Sequence, residues 1–155
     1  ISICDIDLFK AYNDKFGHLA GDDVLRRVAQ TIKEALREGD GFYRYGGEEF
    51  VVLLPEQSLG EASLALDRVR AAVEGLRIPS DDRNGVVTLS AGVAELDLKE
   101  DDSHEHWLRR ADVALYRAKE KGRNRVEPAP EPGPSSQRER GSTRSGDTWT
   151  AAKVS

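Results

Sequence analysis

The chain has 155 residues, of which 38% are hydrophobic and 33% charged, with a formal net charge of −5. That length suits one folded domain rather than two, and no apolar run reaches the 18 or so residues of a membrane-spanning helix. The acidic balance excludes a general nucleic-acid binder, which presents a basic face.

In chain order, Ile1–Ile6 is a short apolar run and reads as a strand. Leu8–Phe16 reads as a short helix with Asp7 as its N-cap. Residues 17–21, Gly-His-Leu-Ala-Gly, read as a turn. Asp22–Arg37 carries apolar residues at Leu25, Val28, Ala29, Ile32 and Leu36, the spacing of a helix with one buried stripe. Gly39-Asp40-Gly41 breaks it. Phe42–Tyr45 and Glu49–Leu54 read as strands, with Gly46-Gly47 as a two-residue hairpin turn. Pro55 stops the second of them.

Gly60–Leu76 is the next predicted helix and Val86–Ala94 the next strand, rich in Val and Thr. Leu96–Asp102 is an acidic loop. Ser103–Lys121 is a helix with Trp107, Leu108, Ala111, Leu115 and Ala118 inward, ended by Gly122. A short strand includes Arg125 and Val126. This order predicts an α+β domain: an antiparallel-containing sheet with helices packed on one face.

Composition shifts near Val126. Four of the six prolines lie beyond it, and the charges of residues 127–155 cancel, so the −5 sits on residues 1–126. With few aliphatic residues, the 127–155 tail is expected to be disordered. The single cysteine, Cys4, allows no intrachain disulfide and points to a reducing, cytoplasmic setting, which includes the cytoplasmic part of a membrane-anchored protein. A start at Ile1, already in a strand and without Met, reads as a piece cut from a longer protein.

Two carboxylate groups stand out: Asp5-Ile6-Asp7 at a strand end, and Glu48-Glu49 beside the glycine hairpin. Converging carboxylates with backbone carbonyls make a hard oxygen site suited to Mg²⁺, with Mn²⁺ as an alternative. Such an ion lets an acidic protein hold polyphosphate. Glycines at the tip leave room for phosphate to approach the backbone. Taken singly, each feature also has an ordinary reading: a helix cap, a turn, a solvated pair.

Arg44-Tyr45-Gly46-Gly47-Glu48-Glu49-Phe50 resembles the signature of GGDEF domains, the diguanylate cyclases, in its Glu-Glu variant. Asp5–Lys10, Asn13-Asp14, Phe16–His18, Gly21-Asp22, Ser90–Val93, Arg110–Lys119 and Gly122–Asn124 resemble the family's other motifs, in order, over residues 1–126. The resemblance implies a nucleotidyl-cyclase or polymerase-palm fold, ferredoxin-like, with the signature on a central antiparallel hairpin. It implies condensation of two GTP into cyclic di-GMP, with release of two pyrophosphates, across a homodimer.

By motif position, Asp5, Glu48 and the Ile6 carbonyl would hold Mg²⁺, with Glu49 as a further ligand and Glu48 placed to deprotonate the attacking hydroxyl. Asn13 and Asp22 would read guanine, whose N1–H and 2-amino donors suit such acceptors. His18 would lie near the base. Lys10, Lys119, Arg123, Gly46 and Gly47 would meet the phosphates. Arg37-Glu38-Gly39-Asp40 resembles the family's RxxD product-binding inhibitory site, with Arg68 as the completing arginine. A regulatory sensor domain is expected in the parent protein, and the family's helical segment before the first strand is absent from this sequence. The alternative is a non-catalytic module that binds GTP or cyclic di-GMP. His104-Glu105-His106 lacks zinc-site spacing and reads as a solvated helix start.

Overall fold

The structure is a computed structural model that describes residues 1–82, 85–98, 103–130 and 152–153. Its elements run β1 (Ser2–Ile6), α1 (Phe9–Phe16), α2 (His18–Ala35), β2 (Gly41–Gly46), β3 (Glu49–Leu53), α3 (Leu59–Gly75), β4 (Leu89–Val93), α4 (His104–Glu120), β5 (Val126–Pro128) and β6 (Ala152–Lys153). The sheet order is β5-β4-β1-β3-β2-β6. β1 lies centrally and pairs antiparallel with β3 and β4. β5 runs parallel to β4, and Ala129 beyond it is buried. Most of the tail lies outside the described residues.

Helices cover both faces of the sheet, not one. Cys4, Ile6, Phe50, Val52, Ala91 and Val93 face one core with Val28 and Ile32 of α2 and Leu66 and Val69 of α3. Ile3 and Val51 face a second core with Ala111, Ala114 and Leu115 of α4. A strand buried on both sides needs no polar alternation, and every residue of β1 is buried.

Two local expectations are corrected. Asp7 does not cap α1. Leu8 takes the N-cap position in the left-handed region, φ 55, with no side-chain cap. Asp7 points inward instead and accepts hydrogen bonds from Thr88 Oγ1 (2.8 Å) and Ser90 Oγ (2.7 Å), so a buried carboxylate ties the end of β1 to β4. Residues 17–21 are not a turn either. Gly17, at φ 84, ends α1, and α2 starts at the next residue. Asp22 therefore stands inside α2 and is not its cap. Downstream, Ser58 and Glu61 form a reciprocal capping box that starts α3.

Candidate active site

β1 carries Asp5 to the end of the sheet on the face covered by α4. The carboxylate is buried, and Lys119 from the last turn of α4 reaches it, Nζ to Oδ2 3.0 Å. Burial pushes the Asp5 carboxyl up from 3.8 to about 6; Lys119 pulls it back, and the charges of Glu48 and Glu49 push it further up. A buried acid whose neighbours are two more acids and one ammonium is a place built for extra positive charge.

The hairpin brings the second carboxylate. Gly46 pairs with Glu49, so the turn is Gly47-Glu48 rather than Gly46-Gly47. Arg44 braces the tip by donating to the Gly47 carbonyl from Nη2 (2.7 Å) and Nε (3.2 Å). The Ile6 N–H donates to the Glu48 carbonyl at 3.3 Å and ties the turn to the end of β1. Glu49 stands opposite Asp5 in the β1–β3 register.

Asp5, Lys10, Asp14, Glu48, Lys119 and Arg123 line one cleft of about 370 Å³. A neighbouring groove of about 570 Å³ shares Leu8, Lys119 and Arg123 with it. A cleft lined by both cations and carboxylates suits a polyphosphate that arrives with a divalent cation. Among the described residues no three carboxylate, imidazole or thiol side chains gather as a metal cluster; Asp5 and Glu48 meet at the cleft, and Lys119 takes the place beside Asp5.

Asn13 lies one turn along α1 from Lys10. Its Oδ1 is buried and has no hydrogen-bond partner. An unpaired buried acceptor is costly. Gly21 of α2 closes the spot: a Cβ there would stand 1.8 Å from Asn13 Oδ1 and 3.2 Å from Phe9 Cζ. Asp22, the next residue, is exposed, as is His18 at the start of α2. Gly21→Ala is expected to displace the Asn13 amide and the Phe9 ring, read as a lowered melting temperature.

Arg37 and Asp40 also come together. The Arg37 backbone N–H and Nε donate to the Asp40 carboxylate at 3.1 and 3.2 Å, and Nη2 donates to the Pro55 carbonyl at 2.5 Å. The Asp40 side chain is almost wholly covered, whereas that of Arg37 is more than half exposed. Arg68 lies exposed on α3, and among the described residues it makes no ion pair with Asp40.

Comparison with known proteins decides the family. The model of the diguanylate cyclase GGDEF domain matches residues 1–125. The chain belongs to the GGDEF family. It is 45% identical over 129 residues to diguanylate cyclase DgcP of Pseudomonas aeruginosa, covering 83% of this chain and 19% of that protein. It is 44% identical over 126 residues to diguanylate cyclase A of Treponema denticola, covering 81% and 34%. The GGDEF domain of DgcB from Caulobacter crescentus, solved with c-di-GMP, superposes with a TM-score of 0.75 at 37% identity, covering 83% of this chain and 75% of that one. The active GGEEF domain of a diguanylate cyclase from Vibrio cholerae gives 0.74 at 34% identity, covering 84% and 82%. The chain thus spans about a fifth to a third of the curated relatives named.

Within this GGDEF domain, Gly47 has no left-handed φ, and a Cβ on it would meet nothing within 4 Å. Neither backbone strain nor internal packing requires glycine there, and the position is exposed at the hairpin tip. Gly47→Ala is expected to leave the melting temperature at or slightly above that of the parent, read by thermal unfolding. Two GGDEF-domain residues stood in the sequence reading only as motif positions, with no site role: Asp14, which lines the cleft, and Leu8, which lines both cleft and groove. The spacing of Lys10 and Asp14 on one helix face was the available signal for the first; a left-handed leucine leaves none.

Proposed function

We propose that the chain is the catalytic module of a diguanylate cyclase. It would condense two GTP molecules into cyclic di-GMP and two pyrophosphates. The observation that carries this reading is the meeting of Asp5 and Glu48 with Lys10, Lys119 and Arg123 around one cleft.

The donor set fits Mg²⁺. Asp5, Glu48 and the Ile6 carbonyl are hard oxygen donors, Glu49 lies in register beside them, and the destabilised charge on Asp5 favours a cation. When bound, Mg²⁺ neutralises phosphate charge and polarises the reacting phosphoryl group. Lys10, Lys119 and Arg123 hold the triphosphate. Asn13 and Asp22 accept from guanine N1–H and the 2-amino group, and the unpaired Asn13 Oδ1 supports that assignment. Adenine lacks those donors and would leave the acceptors unpaired.

One domain holds one GTP, so catalysis requires a second copy opposite. The 3′-oxygen of one GTP bonds to the α-phosphorus of the other, and the bond to pyrophosphate breaks. Glu48 would take the hydroxyl proton. The same step, with roles exchanged, closes the ring. A sensor domain elsewhere in the parent protein would control the pairing in the cytoplasm.

The test is chromatography of the products formed from GTP and Mg²⁺. Cyclic di-GMP and pyrophosphate are expected from the protein and neither from Glu48→Ala. Binding of GTP without product would favour a binding module. Arg37, Asp40 and Arg68 are proposed to form a product site. The double variant Arg37→Ala, Asp40→Ala is expected to lose inhibition by cyclic di-GMP; inhibition equal to that of the parent would refute the site.

A further inference from the structure

The loop after α4 carries two consecutive non-glycine residues in the left-handed region, Arg123 at φ 64 and Asn124 at φ 47. Such a conformation is strained for a residue with a side chain and persists only where its surroundings impose it. The surroundings here are specific. The Asn124 N–H donates to Asp7 Oδ2 at 3.0 Å, the same buried carboxylate that holds Thr88 and Ser90. Its Nδ2 donates to Glu74 Oε1 at 3.0 Å, and its Oδ1 accepts from Arg70 Nη1 at 2.9 Å. Arg70 is itself held by Asp67 Oδ1 at 2.7 Å and Glu74 Oε2 at 2.8 Å.

This network joins α3, on one face of the sheet, to the loop that follows α4, on the other. Its product is local. Arg123 lines both the cleft and the neighbouring groove, with Lys119 one turn earlier. The Arg123 N–H donates to the Ala118 carbonyl at 2.9 Å, and its own carbonyl accepts from Arg125 Nε at 3.2 Å, so its backbone is fixed on both sides. Hydrogen bonds around an active-site side chain fix where it points, and losing them costs affinity without touching the ligand.

We propose that Asn124 is a positioning residue for the nucleotide phosphates: its clamp by Asp7, Arg70 and Glu74 imposes the left-handed pair and so aims Arg123 into the cleft. The inference rests on the reading of Arg123 as a phosphate contact.

A double-mutant cycle on the binding of GTPαS with Mg²⁺, measured by calorimetry, tests it. Asn124→Ala is expected to weaken binding about tenfold in the parent and less than about twofold in Arg123→Ala, because a residue that acts through Arg123 has nothing left to position. Asn124→Asp, which sets a second carboxylate against Glu74, is expected to weaken binding similarly. Adding Glu74→Gln restores the donor–acceptor pairing and is expected to recover affinity to within about twofold. A merely structural stitch would give the same loss in both backgrounds. Equal losses, no loss, or failure of the Glu74→Gln rescue would each overturn the proposal. If the parent itself does not bind GTPαS, the functional reading falls and this inference with it; if the parent binds and the cycle is additive, only the inference falls.

Discussion

Gly92→Ala is expected to destabilise the domain by about 3 kcal/mol or more and to lower its melting temperature by roughly 10 °C. Gly92 lies in the middle of β4, between Ile3 of β1 and Glu127 of β5. A Cβ there would stand 2.1 Å from the Ala111 carbonyl oxygen, 2.2 Å from the Leu115 nitrogen and 2.8 Å from the Ala114 carbonyl carbon. All three are backbone atoms, so no rotamer change relieves the clash, and α4 must lift from the sheet. The interface that suffers is tight because Ala111, Ala114 and Ala118 let the helix approach closely. Lifting α4 also withdraws Lys119 from Asp5, so activity is expected to fall with stability. Gly60→Ala serves as the control, since a Cβ there meets nothing; its melting temperature is expected to equal the parent's or rise slightly, as glycine is a poor helix former. Thermal unfolding by circular dichroism reads both.

Asp5→Asn is expected to lower cyclic di-GMP synthesis by about 10³-fold or more while raising the stability of the metal-free protein at neutral pH. The two effects share a cause. With its carboxyl at about 6 in the fold against 3.8 unperturbed, the folded protein binds a proton at Asp5 more tightly than the unfolded chain does. Stability from this group is therefore full below about pH 4 and is lost as pH rises to about 6, a difference of about 3 kcal/mol at most. Asparagine has no such dependence, so the variant's advantage should open over that window and stay constant above it. Lys119 loses its partner in the variant, but its side chain is 32% exposed and can be hydrated. Divalent-cation affinity of the parent should rise over the same window, because the cation competes with the proton. A variant less stable than the parent at pH 7 would show that the Lys119 contact outweighs burial.

The site was legible where a residue's type is explained only by chemistry. The glutamates of the glycine hairpin and the aspartate near the end of β1 do come together, Asp5 and Glu48 at one cleft, although the turn itself is Gly47-Glu48. The fold was legible in element order but not in layering. The absence of polar alternation along β1 was itself the signal that both sheet faces are covered, yet element order alone suggested one. Asp7 was misread because an aspartate before a helix ordinarily caps it. Its partners Thr88, Ser90 and Asn124 lie 81 to 117 residues away, and no local pattern reports them. The start of α2 was misread because glycine punctuates at Gly17 and again at Gly21, and only the close packing against Asn13 shows why the second glycine is helical. Asn124 and Gly92 owe their roles to contacts between elements far apart in the chain.

The central claim is that two copies of this domain join two GTP molecules. It is tested most directly by GTP turnover with Mg²⁺ over a range of protein concentrations, after bound nucleotide has been stripped. The expected result is cyclic di-GMP formed at a specific activity that rises with protein concentration and vanishes in Glu48→Ala. Bound GTP with no cyclic di-GMP at any concentration would contradict it and leave a nucleotide-binding module.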